Sequence, residues 1–186
     1  MSSKDFGSKD CPTIRTLDQP LGKKEAALFS DKPVRTSPTS KLLEAIQKAL
    51  KRSYRNNEGS TVRDHRATIE YLQPLLDEFR FYDTKNLGTR QLSMVAEAFN
   101  DLGVSLAEKA RREKIEPLQF QARTYYLEAL RLWPTALTAR NFGRLLENMR
   151  EWKELEELGK WALEKFPGSD MENELRRMRS KARRRK

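Results

Sequence analysis

Thiol and imidazole are nearly absent from this chain of 186 residues, which has one cysteine, Cys11, and one histidine, His65. A lone cysteine excludes an internal disulfide framework and a zinc cluster built on thiolates, and it fits a reducing compartment. A lone histidine cannot hold zinc tightly, and as a general base it would need a placed substrate and an orienting partner. Asp64 precedes His65 directly, but adjacent residues on a helix face different ways. Phosphate-binding G-x-x-x-x-G-K-[ST] loops, G-x-G-x-x-G turns and G-x-S-x-G elbows are all missing. The acidic run Glu151, Glu154, Glu156 and Glu157 needs no catalytic reading, because negative charge at a helix start complements the helix dipole. No catalytic, cofactor-binding or metal-binding residue is predicted, and the chain is not expected to be an enzyme.

Long apolar runs are missing too, so no membrane span is expected. The first residues, Met1-Ser2-Ser3-Lys4-Asp5, lack the apolar core of a secretory signal. The expected location is cytoplasmic. Lys181 to Lys186 resembles a nuclear localisation patch, which adds a nuclear location if the source has a nucleus. Glycine is scarce, at eight residues, and 34% of residues are charged, which points to helix; 37% are hydrophobic, enough to bury a core.

The net charge of +10 is unevenly placed, since Arg176 to Lys186 holds eight basic residues and no acidic one, leaving only +2 for the rest. Residues 1–38, with Pro12, Pro20, Pro33 and Pro38, read as a disordered arm. Within it, Leu21 to Ser30 contains the short amphipathic stretch Glu25-Ala26-Ala27-Leu28-Phe29. Pro38-Thr39-Ser40 is a helix-entry signal, and Leu42, Leu43, Ile46, Ala49 and Leu50 follow at helical spacing as far as about Tyr54. A second helix is expected from near Thr61, carrying Ile69, Leu72, Leu75, Leu76 and Phe79, with a kink before Pro74. Leu92, Val95, Phe99, Leu102 and Leu106 then mark a helix that starts after Gly88-Thr89.

From here a spacing pattern occurs twice. Phe99, Leu102-Gly103, Leu106, Ala122, Tyr126, Ala129 and Pro134 form the first copy; Ala139, Phe142-Gly143, Leu146, Leu155, Gly159, Ala162 and Pro167 form the second. The pattern resembles the tetratricopeptide repeat. The resemblance implies an all-α fold, a short helical-hairpin solenoid with clear repeats at about 96–134 and 136–167. A degenerate N-terminal hairpin would complete a helical domain over 39–169. A C-terminal capping helix, with Met171, Leu175 and Met178 on one side, would run into a basic tail over 170–186. Glycine and alanine (Gly103 with Ala122, Gly143 with Ala162) would sit where paired helices approach closely. Two departures stand out. Nineteen residues separate Gly103 from Ala122, whereas twelve separate Gly143 from Leu155; the extra seven predict a first helix longer by about two turns. Leu155 and Gly159 also stand where the family has alanine and phenylalanine.

In that family the first helix of each repeat lines a groove that receives an extended peptide. The register places Glu97, Asn100, Val104 and Glu108 on this face in the first repeat, and Leu137, Arg140, Arg144 and Asn148 in the second, with Asn141 beside them. Arg140, Asn141 and Arg144 have the chemistry to grip a carboxylate or phosphate. The resemblance thus implies a non-enzymatic protein-binding scaffold or adaptor, with the basic tail as an electrostatic attachment. An alternative from another class is a nucleic-acid-associated protein. Arg111, Arg112 and Lys114, with Arg179, Lys181, Arg183, Arg184, Arg185 and Lys186, would then contact phosphates or an acidic partner. Because about three repeats are usually needed for a stable stack, the N-terminal hairpin, the terminal helix or self-association must supply the missing packing.

Overall fold

The structure is a computed structural model that describes residues 37–57 and 60–185, by backbone alone at 55–57 and 60–63. The expected arm, including Cys11 and the Leu21–Ser30 stretch, lies outside the described residues, as does Lys186. Among the described residues seven helices follow one another, α1 (Ser40–Arg52), α2 (His65–Phe79), α3 (Thr89–Glu113), α4 (Glu116–Leu132), α5 (Ala136–Met149), α6 (Trp152–Lys165) and α7 (Glu172–Arg185). Between α1 and α2 a short antiparallel hairpin pairs β1 (Tyr54–Asn57) with β2 (Ser60–Arg63), Tyr54 opposite Arg63. The helix expected to continue to Tyr54 therefore stops at Arg52, and the one expected from Thr61 begins at His65.

Local chemistry sets the helix boundaries. Thr39 Oγ1 accepts from Leu42 N–H at 3.2 Å, Asp64 Oδ1 from Ala67 N–H at 3.0 Å, and Thr135 Oγ1 from Thr138 N–H at 3.1 Å. Each satisfies a donor that the first helical turn leaves orphaned. At the other end, α4 stops at Leu132 ahead of Pro134 and α6 at Lys165 ahead of Pro167. The helix α2 runs through Pro74, which is exposed.

The two repeat hairpins turn in the same way. After α3 and after α5 a single residue in the left-handed region, Lys114 at φ 57° and Arg150 at φ 62°, is followed by one residue and then the next helix. Such short connections make the paired helices antiparallel. The seven extra residues of the first hairpin are shared, contrary to the expectation that one helix takes them all. Ten residues follow Gly103 within α3 against six after Gly143 within α5, and six precede Ala122 within α4 against three before Leu155 within α6. Both arms thus lengthen by about one turn and the connection stays the same. At its other end α3 also begins two turns earlier than α5, relative to the glycines.

Each helix packs on its sequence neighbour; beyond that, the main contacts are α1 with α3, α3 with α5 and α5 with α7. Contacts between even-numbered helices are sparse. A single core runs from Leu42 in α1 to Ala182 in α7, and Ile46, Leu72, Phe99, Tyr126, Phe142, Leu155 and Met178 are all buried in it. The packing that two repeats lack is therefore supplied within the chain, by α1 and α2 at one edge and α7 at the other.

Close approach explains the glycines. A Cβ on Gly103 would lie 3.0–3.2 Å from the Tyr126 ring, so the aromatic of α4 rests directly on the α3 backbone. Gly159 occupies the place of Tyr126 in the second repeat and has no side chain to do the same. There α7 closes in, with Arg179 Cβ 2.9 Å from where a Gly159 Cβ would stand, and Met178 Sδ takes up the position 2.9 Å from a Gly143 Cβ. Met178 thus fills the space that Tyr126 fills one repeat earlier.

Candidate partner-binding face

The residues expected on the groove belong to α3 and α5, and the structure places them on the layer of odd-numbered helices in three different situations. Asn100 is buried and Asn141 half-buried. Together they belong to a polar chain that crosses the layer. Tyr54 donates through its hydroxyl to Asp101, Asn100 Nδ2 donates to Asp101 Oδ1 at 3.3 Å, and Asn141 Nδ2 donates to Asn100 Oδ1 at 3.1 Å. Arg140 Nη2 then donates to Asn141 Oδ1 at 3.1 Å, and Arg140 Nε lies 3.8 Å from Glu174 of α7. Asp101 is 1% exposed, so this chain satisfies groups whose isolation would be costly and ties the β hairpin, α3, α5 and α7 in one register.

Arg140 and Arg144 are the second case. Both reach the same carboxylate, Arg144 Nε donating to Glu174 Oε1 at 2.8 Å, and Arg140 also touches Met171 Sδ at 3.1 Å. The arginines expected to grip a partner's carboxylate or phosphate are instead engaged within the chain by the Glu174 carboxylate of α7. Arg140, with its side chain 21% exposed, is held on two sides; Arg144, at 55%, keeps much of its guanidinium in solvent.

Glu97, Leu137 and Asn148 are exposed and Val104 is half-buried. Leu137, at 45% the most exposed large apolar residue described, opens α5, and Trp133 on the same turn is 36% exposed. Asn148 lines an open depression with Ala110, Arg111, Lys114, Glu116 and Gln119, which brings the end of the expected groove against the α3–α4 turn.

The cations expected to contact phosphate divide similarly. Arg111 and Arg112 both bind Glu108, at 2.7 and 2.6 Å, and the Arg111 hydrogen bond, ahead of burial and the Arg112 contact, sets the balance that holds the Glu108 carboxyl down at about 2. Lys114 is exposed. Instead of an extended tail, α7 is a docked helix as far as Arg185, with Leu175, Met178 and Ala182 buried. Lys181 pairs with Glu147, Arg183 Nε with Glu156 Oε1 at 3.0 Å, and Arg179 lies against Gly159. Arg184 and Arg185 are exposed. The docking of the basic segment was missed because its apolar positions thin out to a single alanine after Met178.

His65 packs in the hairpin, with Nδ1 3.1 Å from Ser105 Oγ, while Asp64 turns away to cap α2. On the even-numbered layer, Tyr125 donates to Asp77 at 2.6 Å and Arg123 meets Glu154 at 3.0 Å. Burial pushes the Glu154 carboxyl up against the opposing pull of Arg123, and pushes the Tyr125 hydroxyl up with help from Asp77. Among the described residues no cluster of His, Cys, Asp or Glu has the arrangement of a metal site, and no helix is long and apolar enough to cross a membrane. No protein-family model, curated protein or solved structure matches the chain.

Proposed function

We propose that this chain is a non-enzymatic scaffold of the tetratricopeptide-repeat type, which holds an extended segment of a partner protein along its odd-numbered helices. The observation that carries this reading is the unequal packing of the two layers. Odd-numbered helices approach their odd-numbered neighbours closely along their backbones, whereas even-numbered helices make few such approaches and are bridged by side chains, Tyr125 to Asp77 and Arg123 to Glu154. In a curved stack the inner layer has the shorter arc and the tighter helix spacing, so α3 and α5 line the concave side. Support also comes from the two turns of matching conformation and from Gly103 beneath Tyr126.

On that side Leu137 offers the apolar anchor, Val104 a flanking contact, and Glu97, Asn148 and the solvent-facing part of Arg144 polar contacts. Asn100, Asn141 and Arg140 position these groups by fixing neighbouring helices and contribute through that role. The basic segment acts as a salt-sensitive attachment beside the face. Replacing Val104 and Leu137 together with glutamate tests this, because one is exposed and the other half-buried. The variant is expected to keep its helical circular dichroism and to lose the bound partner from an extract of the source cells. Retention of the same partner would overturn the reading.

A further inference from the structure

Antiparallel packing sends the α1–α2, α3–α4 and α5–α6 connections and the last turn of α7 to one end of the stack. Side-chain contacts agree: Asn148 shares a depression with Lys114, Lys181 meets Glu147, and Arg183 meets Glu156. The segments involved, counted over the residues whose side chains are described (48–54, 64–66, 108–116, 147–154 and 181–185), hold fourteen Lys and Arg against seven Asp and Glu. They carry +7, while the remaining residues whose side chains are described net −1. The basicity that reads as a tail is, in the folded chain, an entire end of the molecule.

We propose that this end is a docking surface for the phosphate backbone of double-helical nucleic acid. Lys51, Lys114, Arg150, Lys153, Arg184 and Arg185 are exposed and have no acidic partner among the described residues. They recur hairpin by hairpin, and packed helices lie about 10 Å apart, so the cations form a row that follows a linear polyanion. Two of them occupy costly positions. Lys114 and Arg150 sit in the left-handed region, where glycine is the favoured residue, and each closes its helix through backbone bonds, Ile115 N–H donating to Ala110 O at 3.1 Å and Glu151 N–H to Leu146 O at 3.0 Å. Both cations project from equivalent helix ends, where the helix dipole also favours positive charge. Among the described residues of these segments, Ile115 is the one large exposed hydrophobic and no aromatic is exposed. That leaves no platform for stacking unpaired bases and only one residue to enter a lipid surface.

The proposal does not depend on the inner face. Its test is binding of the full chain to two unrelated 24-base-pair duplexes between 50 and 200 mM KCl, read by fluorescence anisotropy. Wild type is expected to bind both sequences alike, with affinity falling steeply as salt rises. The Lys114→Gly, Arg150→Gly double variant relieves both strained turns, so it is expected to melt at a higher temperature than wild type. It is also expected to bind about tenfold or more weakly, with a log–log salt slope shallower by about 1.8. Lys41→Ala with Arg90→Ala removes the same charge from the opposite end and is expected to change affinity by less than about twofold. Equal losses in the two variants would reduce the effect to net charge and overturn the proposal. So would unchanged binding in the glycine variant, or wild-type binding to phosphatidylserine vesicles or polyglutamate without binding to duplex.

Discussion

At the level of single residues, the second repeat is held together by an exchange between a missing aromatic and a borrowed methionine. Gly159 lets α7 approach, and Met178 then occupies the space over Gly143. Gly159→Leu forces the α7 backbone outward, because Arg179 Cα already lies 3.5 Å from the Cβ position; a loss of about 1–3 kcal/mol in urea unfolding is expected. Met178→Ala leaves a cavity and is expected to cost about 2–5 kcal/mol in the same measurement. The glycine at 159 stood out in the sequence as a departure from the repeat, but one chain cannot say what replaces a side chain it lacks. Electrostatics give a second expectation. Glu108 is held at about 2 by Arg111 and Arg112, below the ordinary glutamate value of about 4.3. A depressed carboxylate contributes above its unfolded value and loses that contribution as pH falls towards its folded one. The Glu108 carboxyl resonance is therefore expected to titrate near 2, and to return to the ordinary range in Arg111→Ala, Arg112→Ala. Global stability should barely change between these variants, since the pair is largely exposed.

Among the elements, α7 is the one whose role differs most from its composition. The eight cations from Arg176 to Lys186 read as a tail beyond a cap of Met171, Leu175 and Met178, yet the helix runs to Arg185, buries Ala182 along with Leu175 and Met178, and supplies Glu174 to Arg140 and Arg144. A chain ending at residue 170 is expected to lose hydrogen-exchange protection throughout 136–165, because Leu155, Leu158 and Trp161 lose their cover. Undiminished protection there would mean that α7 is an appendage. The β hairpin shows the opposite kind of oversight. The helices expected to reach about Tyr54 and to start near Thr61 overrun Tyr54–Asn57 and Ser60–Arg63, although the β-branched pair Thr61-Val62 favours a strand. The helical periodicity of Leu42, Ile46, Leu72, Phe99 and Leu106 was strong enough to locate α1, α2 and α3, since each buried stripe repeats over several turns. The capping residues Thr39 and Gly88 and the stops before Pro134 and Pro167 were likewise written in local chemistry. The sharing of seven extra residues between α3 and α4 was not, because it depends on which turn geometry closes the hairpin.

Over the whole molecule, the stack separates two properties that the chain interleaves. The odd-numbered layer gathers Leu137, Val104, Glu97 and Asn148 from helices far apart in sequence, and one end of the stack gathers cations from four segments. Spacing alone could align Asn100 with Arg140, because both follow from the repeat register. It could not tell that Asn100 would be buried under Asn141, or that α7 would bring Glu174 to Arg144; both depend on how neighbouring hairpins meet. Whether the odd-numbered layer receives a partner is tested most directly by photo-crosslinking in the source cells, with a photoreactive residue placed in turn at 104, 137, 131 and 160. Adducts to one protein from 104 and 137, and none from Arg131 or Lys160 on the even-numbered helices, are the predicted result. Adducts from 131 or 160, or none from 104 and 137, would contradict the assignment of this layer as the binding face.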